Sequence, residues 1–390
     1  MGNCCAKVHE DRKVIIVGGG YAGTWLARRL DATFDVTVLE RNEAFVHVMG
    51  QLRAVTDPEY APRSLIPYTG LLKRGTVQRA NVKQVYTDRV VLEDGATIHI
   101  RPGKDFLVIA TGSVSAPPCR WAGLTTEAIS KEQSEAAAKI AAASNIVIVG
   151  GGPVGVELAG EIRDRFATKR VTIVHRGPFL CSGKAGADKG ETVPKAFGDE
   201  LKAVCEARSI AVRVGTRVDA GADADPSAGF TVPSGPVTLS DGSTLGDVDL
   251  VVWATGSRPN NAALVGSMDD KLDAAGRVKV AESLLVPGTD NVFAIGDCAE
   301  SHGPKTAYHG RMQADLVAKS IAALAGGAAT DSLGTFSAGG AAMLVPIGST
   351  AGRAYLPFCG GLTIGDGKVS SIKGKDLFTA QTHKEMGTPE

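Results

Sequence analysis

Six glycines in two sets, Gly18, Gly20 and Gly23 then Gly150, Gly152 and Gly155, share the spacing G-x-G-x-x-G. Each set could hold a pyrophosphate. The first glycine makes the tight turn, the second lets backbone approach a diphosphate, and the third lets a helix pack on its strand. Gly19, Tyr21 and Ala22 complete the first set, and Pro153 and Val154 the second. The helix that follows points its unpaired N–H groups at the anion. Each set follows a β-branched run (Val14 to Val17, Ile146 to Val149), the strand–turn–helix context this chemistry needs. Two sites in one chain imply two dinucleotides, and electron transfer between them is the economical reason to hold both.

Further residues suit the same task. Glu40 lies 22 residues after Gly18, where an acid accepts hydrogen bonds from an adenosine ribose, and Arg41 follows it. The second unit has His175 and Arg176 at that place. An acid there would repel a 2′-phosphate, whereas Arg176 can pair with one, so NADPH should be accepted at least as readily as NADH. Asp297 closes the apolar run 291–297, and a carboxylate there needs hydroxyl or backbone donors. Glu157 falls in the first turn after Gly155, where an acid complements the helix dipole. The described motifs contain no zinc-type spacing, so no metal is expected.

These residues need strands and helices to position them. The pattern predicts strands at 13–17, 35–39 and 106–112, with a helix at 22–30 between the first two. An alanine-rich helix at 135–143 leads to the second strand–turn–helix, with helix 154–166 and strand 171–174. Two polar stretches, 182–192 and 220–234, read as a mobile loop and a hairpin cap. The run 250–256 ends in Ala254, Thr255 and Gly256, an echo of Ala110, Thr111 and Gly112. The fingerprints are offset by 132 residues and these Ala-Thr-Gly ends by 144, which marks two related modules, one nested in the other. A long helix is predicted at 304–324, and short strand-like runs at 361–364 and 368–372. The fold class is therefore α/β, with two nested Rossmann-like domains and a small C-terminal α+β domain. The expected division is a tail 1–12, a discontinuous first dinucleotide-binding domain 13–118 and 259–328, a second dinucleotide-binding domain 119–258, and a C-terminal domain 329–390.

Composition narrows the classes. The chain has 390 residues, with 42 Lys+Arg balancing 42 Asp+Glu, which leaves no basic excess for nucleic acid. No apolar run reaches the ~18 residues of a membrane span. The first residues put Gly2 behind the initiator methionine, with Cys4 and Cys5 beside it. That pattern suits N-myristoylation of Gly2 and palmitoylation of Cys4 and Cys5, although Ala6 stands where Ser or Thr is usual. One myristoyl chain binds membranes only marginally, so the second acyl site matters. The expectation is a lipid-anchored protein on the cytoplasmic face of a membrane (plasma membrane, lipid droplet or outer mitochondrial).

The order G-x-G-x-x-G, Ala-Thr-Gly, G-x-G-x-x-G, Ala-Thr-Gly, Ala-Ile-Gly-Asp resembles the two-dinucleotide flavoprotein reductases of glutathione-reductase type. Three segments narrow this: Gln51 to Ala54, Pro304 to Tyr308, and Lys373 to Phe378. They resemble the apoptosis-inducing-factor-like ferroptosis-suppressor oxidoreductases, whose wider relatives are type II NADH dehydrogenases. The resemblance implies FAD at the first fingerprint, NADH or NADPH at the second, and a membrane quinone such as coenzyme Q as acceptor, its hydroquinone protecting lipids. It also implies flavin contacts for Arg53, for Asp297 and for the helix entered at Thr306 and Ala307, and backbone contacts from Val82 to the adenine. Glu157 would lie near the nicotinamide, with Lys373, Phe378 and, more weakly, Lys305 on the acceptor side. His309 reads as an ordinary helix residue. No C-x-x-C or C-x₄-C dithiol is present, so electrons must leave the flavin directly for an acceptor. An NAD(P)H-sensing signalling flavoprotein without high turnover remains the alternative, and the oligomeric state stays open, a homodimer included.

Overall fold

A computed structural model describes residues 9–183, 193–219, 225–358 and 361–389. Gly2, Cys4, Cys5, Cys359 and most of the stretch 182–192 lie outside the described residues.

Two parallel sheets carry the two fingerprints. In the first, β1 (His9–Val17) leads into α1 (Tyr21–Leu30) and β2 (Phe34–Glu40). A one-turn helix α2 (Gln51–Ala54) precedes the edge strand β3 (Thr76–Arg79), and β4 (Phe106–Ile109) follows. The spatial order is β3, β2, β1, β4 and then Val292–Ala294, all parallel. The side chains of Val14 to Val17 in β1 and of β4 are buried on both faces, as a sheet covered on both sides requires. Antiparallel strands Val82–Val85, Arg89–Leu92 and Thr97–His99 form a separate small sheet, which contributes Val85, Val90 and Leu92 to the core against one face. Helix α1 and the late helix 307–325 pack on the other.

The crossover strand β5 (Ser113–Ser115) and helix α3 (Thr126–Ala142) lead to the second sheet. Thr125 caps α3, its hydroxyl accepting from the Ala128 N–H, so the helix starts nine residues before the predicted 135. The alanine pattern marked only its second half. β6 (Asn145–Val149), α4 (Pro153–Arg165), β7 (Arg170–His175), α5 (Lys195–Ala207), β8 (Ile210–Val214) and β9 (Leu250–Trp253) repeat the first unit. Val14 pairs with Phe106 as Ile146 pairs with Leu250, so the sequence offsets of 132 and 144 are register offsets in space. From the stretch 220–234, Phe230–Thr231 adds an antiparallel edge to β9. A strand β10 (Ser257–Pro259) pairs with β5 where the chain returns to the first unit. There β11 (Val292–Ala294) and α6 (Ala307–Ala325) complete it.

The C-terminal unit departs most from expectation. A three-stranded antiparallel sheet of β12 (Met343–Ile347), β13 (Ala351–Leu356) and β14 (Leu362–Ile364) lies on α4 and α5. The run 368–372 is no strand. It falls in α7 (Asp366–Val369) and a π turn, Ser370–Gly374, before α8 (Thr379–Glu385). Alternation over five residues fits either geometry, and here packing chose the helix. At the other end, β1 begins at His9, so ordered chain reaches into the expected tail.

Candidate functional site

The first glycine set builds a cradle by close approach. Gly18 has φ +109, and a Cβ there would lie 2.3 Å from the Ala110 carbonyl oxygen. At Gly23 a Cβ would lie 2.0 Å from the Gly18 oxygen. Gly20 faces open space at the N-terminus of α1, the room a diphosphate needs. Glu40 accepts the Gly19 N–H at 2.6 Å and, on its other oxygen, the Asn42 N–H at 2.8 Å. Each oxygen keeps a lone pair for a sugar hydroxyl. Tyr68 donates to the Gly19 carbonyl at 2.8 Å. Arg41 is exposed beyond Glu40, and Val82 is half-buried at the start of its strand.

At the far end of the cradle, Ser113 donates to Asp297 Oδ2 at 2.7 Å. Asp297 sits in a short 3-10 turn, Gly296–Cys298, rather than on the strand itself. Thr111 donates to Asn261 Oδ1 at 2.9 Å, and the Gly112 carbonyl accepts the Asn260 N–H at 3.0 Å. Thr306 caps α6 ahead of Ala307: its hydroxyl accepts the His309 N–H and donates to His309 Nδ1 at 2.7 Å. His309 Nε2 donates to the Ala338 carbonyl at 3.2 Å, so this histidine, buried and neutral, ties the helix to the C-terminal unit. A dinucleotide fits what is present: a helix N-terminus open at its glycine, an acid at the ribose position, and a half-buried carboxylate with free acceptor capacity.

The second cradle repeats the first with one substitution. A Cβ at Gly150 (φ +121) would lie 2.1 Å from the Ala254 oxygen, and one at Gly155 would lie 1.9 Å from the Gly150 oxygen. Gly152, ahead of Pro153 and Val154, faces open space. Gly256 turns with φ +103 after β9. His175 takes the place of Glu40: its Nδ1 accepts the Gly151 N–H at 3.1 Å. A backbone N–H only donates, so Nδ1 is bare and Nε2 carries the proton toward Ser182 Oγ, 3.1 Å away. Burial, reinforced by the Arg176 cation, holds the imidazole pKa below its ordinary value. The histidine thus fastens the turn, and Arg176 beside it is exposed.

Between the cradles the structure joins residues far apart in sequence. Glu157 is the fifth residue of α4, beyond the first turn expected for it, and Lys373 Nζ donates to its Oε1 at 2.7 Å, with both side chains buried. Burial pushes the Glu157 carboxyl up, and the Lys373 charge opposes that rise. Lys373 lies in the π turn, an irregular helix geometry common at functional sites. Phe378 follows with φ +63, next to Leu377 with φ +54. Two successive left-handed non-glycine residues are strained, at roughly 1–3 kcal/mol each, so their surroundings must hold them. His47 does part of this, donating from Nε2 to the Leu377 carbonyl at 2.9 Å while Tyr21 donates to its Nδ1 at 2.9 Å.

Two expected contacts are otherwise engaged. Arg53 forks onto Glu161 at 2.8 and 2.9 Å and donates to the Gly374 and Lys375 carbonyls, both at 2.7 Å. Lys305 directs its protons at the Ala299 and Ser301 carbonyls and the Ser301 hydroxyl at 2.8–3.0 Å, which makes it a tether for the 299–305 loop. Sequence reading missed His47, Glu161 and Arg120. Arg120 is half-buried near the Tyr21 and Tyr68 phenols and has no carboxylate partner among the described residues. None of the three stands in a motif; only the fold brings them to the site.

The fold and the paired cradles define a flavoprotein oxidoreductase with two dinucleotide sites. The chain belongs to the pyridine nucleotide-disulphide oxidoreductase family, whose model matches residues 12–314, and it uses FAD and NAD(P)H. It is 31% identical to apoptosis-inducing factor homolog B of Dictyostelium discoideum, over 98% of both chains. It is 29% identical to ferroptosis suppressor protein 1 of Xenopus tropicalis (98% of this chain, 97% of the relative) and 27% identical to the human protein of that name (96% and 95%). Among solved structures, the sulfide:quinone oxidoreductase of Aquifex aeolicus shares the fold at TM-score 0.70 and 15% identity, covering 97% of this chain and 92% of the other.

Proposed function

We propose that this oxidoreductase passes the reducing equivalents of NAD(P)H to a membrane quinone of coenzyme Q type, and that the hydroquinone serves as a lipid-protecting antioxidant. FAD, when bound, supplies the redox chemistry, taking hydride from the nicotinamide and releasing two electrons to the acceptor. The net reaction consumes NAD(P)H, one proton and the quinone, and yields NAD(P)⁺ and the hydroquinone.

The observation that carries this reading is the buried Lys373–Glu157 pair. A quinone gains negative charge on oxygen as it is reduced, and a fixed ammonium nearby favours that change. Glu157, on α4 directly after the second glycine set, brings the pair to the side where nicotinamide would enter. The described thiols do not offer a competing route. Burial raises Cys119 and Cys205 to about 12, and Cys181 and Cys298 rise for the same reason. A protonated, buried thiol is a poor nucleophile and redox relay. An apolar acceptor also suits the C-terminal unit, which leaves Phe358, Leu362 and Ile372 exposed, Ile372 in the turn that carries Lys373.

Acylation of Gly2, with Cys4 and Cys5 as second sites, would hold the protein at the cytoplasmic face of a membrane or a lipid droplet, within reach of a quinone headgroup. Arg176 supports use of NADPH beside NADH. The test is an anaerobic spectrum: NADPH should bleach the bound flavin, and a short-chain quinone should restore the colour with repeated turnover. Bleaching without reoxidation would support the sensing alternative and refute the enzyme reading. Lys373→Ala should lower quinone turnover at least tenfold with FAD content intact, and unchanged turnover would remove the lysine from the acceptor site.

A further inference from the structure

Glu157 and Glu161 stand one turn apart on α4, both buried, and each meets a cation from another part of the chain. Lys373 comes from the π turn to Glu157, and Arg53 comes from α2 to Glu161. Arg53 also holds the carbonyls of Gly374 and Lys375, the residue after Lys373 and the one after that. The result is a closed ring: Glu157, Lys373, the turn backbone, Arg53, Glu161, and one turn of α4 back to Glu157. It joins α2 of the first unit, α4 of the second and the C-terminal unit at one guanidinium.

We propose that Arg53 is a positioning residue that acts through this ring to keep the Lys373 ammonium on Glu157. A planar fork suits the task, because one guanidinium serves a carboxylate with two donors and two carbonyls with others. A lysine at the same place is a point charge and cannot span all four contacts. Charge balance points the same way. Around Glu157 lie Lys373, Glu161, and the Cys119 and Cys181 thiols. Around Arg53 lie Glu161, Tyr60 (its ring 5.6 Å from the guanidinium) and Asp164, itself paired with Arg208. His47 is the titratable group near Lys373 on the first unit, and it is neutral. Two buried carboxylates are thus matched by two cations, and removing Arg53 leaves Glu161 competing with Glu157 for Lys373.

This inference rests on Lys373 acting on the acceptor side, and a double-mutant cycle separates the two ideas. The holoenzyme is compared with Arg53→Met, Arg53→Lys, Lys373→Met and Arg53→Met/Lys373→Met, each at matched FAD content, with a short-chain quinone as acceptor. Arg53→Met should lower quinone turnover at least tenfold and shift its pH profile, while anaerobic reduction of bound flavin by NADPH stays within twofold. Arg53→Lys should recover part of the loss. In the Lys373→Met background, Arg53→Met should cost less than twofold. Full additivity would overturn the ring while leaving Lys373 in place. Loss of flavin or a shifted flavin spectrum on Arg53→Lys would overturn it in favour of direct flavin contact. Unchanged turnover in Lys373→Met would overturn both the ring and the acceptor-side reading.

Discussion

Acid should unfasten the turn that carries Phe378, because the histidine that holds it must stay neutral. His47 is fully buried, accepts from Tyr21 through Nδ1 and donates through Nε2 to the Leu377 carbonyl. Burial pulls its pKa from 6.5 down to about 4. The folded state therefore prefers the neutral ring, and the unfolded chain takes up the proton first. Stability from this group is complete above pH 6.5 and is lost as pH falls toward 4, a total of about 3 kcal/mol at ~1.4 kcal/mol per pH unit. Between pH 7.5 and 5.0 the loss should reach about 2 kcal/mol. Urea unfolding at saturating FAD, run at both pH values, measures it. His47→Gln is the control: its amide can still donate to Leu377 but cannot titrate. All other histidines are shared, so the difference between the two proteins isolates this ring. Wild type should lose about 2 kcal/mol more than the variant on acidification. Equal losses would show that His47 titrates normally in the folded protein, which would refute this reasoning.

The two cradles can be disabled separately. Gly23→Ala places a methyl 2.0 Å from the Gly18 oxygen and should give colourless protein, read from the flavin absorbance of the purified material. Gly155→Ala, with its methyl 1.9 Å from the Gly150 oxygen, should stay yellow yet require at least tenfold more NADPH for reduction. Arg176→Ala should raise the KM for NADPH about tenfold, the scale of one charge-assisted contact, and leave NADH nearly unchanged; equal effects on both would clear Arg176 of any part in selection. Arg120→Met should weaken FAD retention, measured as flavin released on dilution, without lowering the unfolding midpoint of the apoprotein, since an unmatched half-buried cation stabilises nothing until an anion arrives.

What the sequence disclosed and what it hid follow from the range of the forces involved. Turn chemistry is local: a backbone that needs φ above zero, or the closeness of Gly23 to Gly18, demands glycine whatever lies elsewhere, so both cradles were legible from spacing. Glu40 was legible for the same reason, because its partner Gly19 belongs to the motif. His175 was recognised as a departure from an acid, yet its attachment to the Gly151 N–H shows only in three dimensions, where it explains how a neutral ring can replace a carboxylate in fastening the turn. The central pair lies beyond any local pattern, since Lys373 and Glu157 are 216 residues apart. Resemblance to a family brought both to the site separately, on opposite duties, and the structure makes them one ion pair. Arg53 shows the limit most sharply. As a residue type it suits a diphosphate as well as a carboxylate, because the same planar fork serves both. Only the placement of Glu161 and of the Gly374 and Lys375 carbonyls, at the end of the π turn, decides between them, and a π turn has no sequence signature at all. The strain at Leu377 and Phe378 belongs to the same category. Neither residue favours the left-handed region, so their conformation must be imposed by partners such as His47, and those partners sit in the first domain, some 330 residues away. Residues that make a nucleotide pocket are written close together, whereas residues that make two pockets work on one another are written far apart, and they are found by following buried charges to their partners.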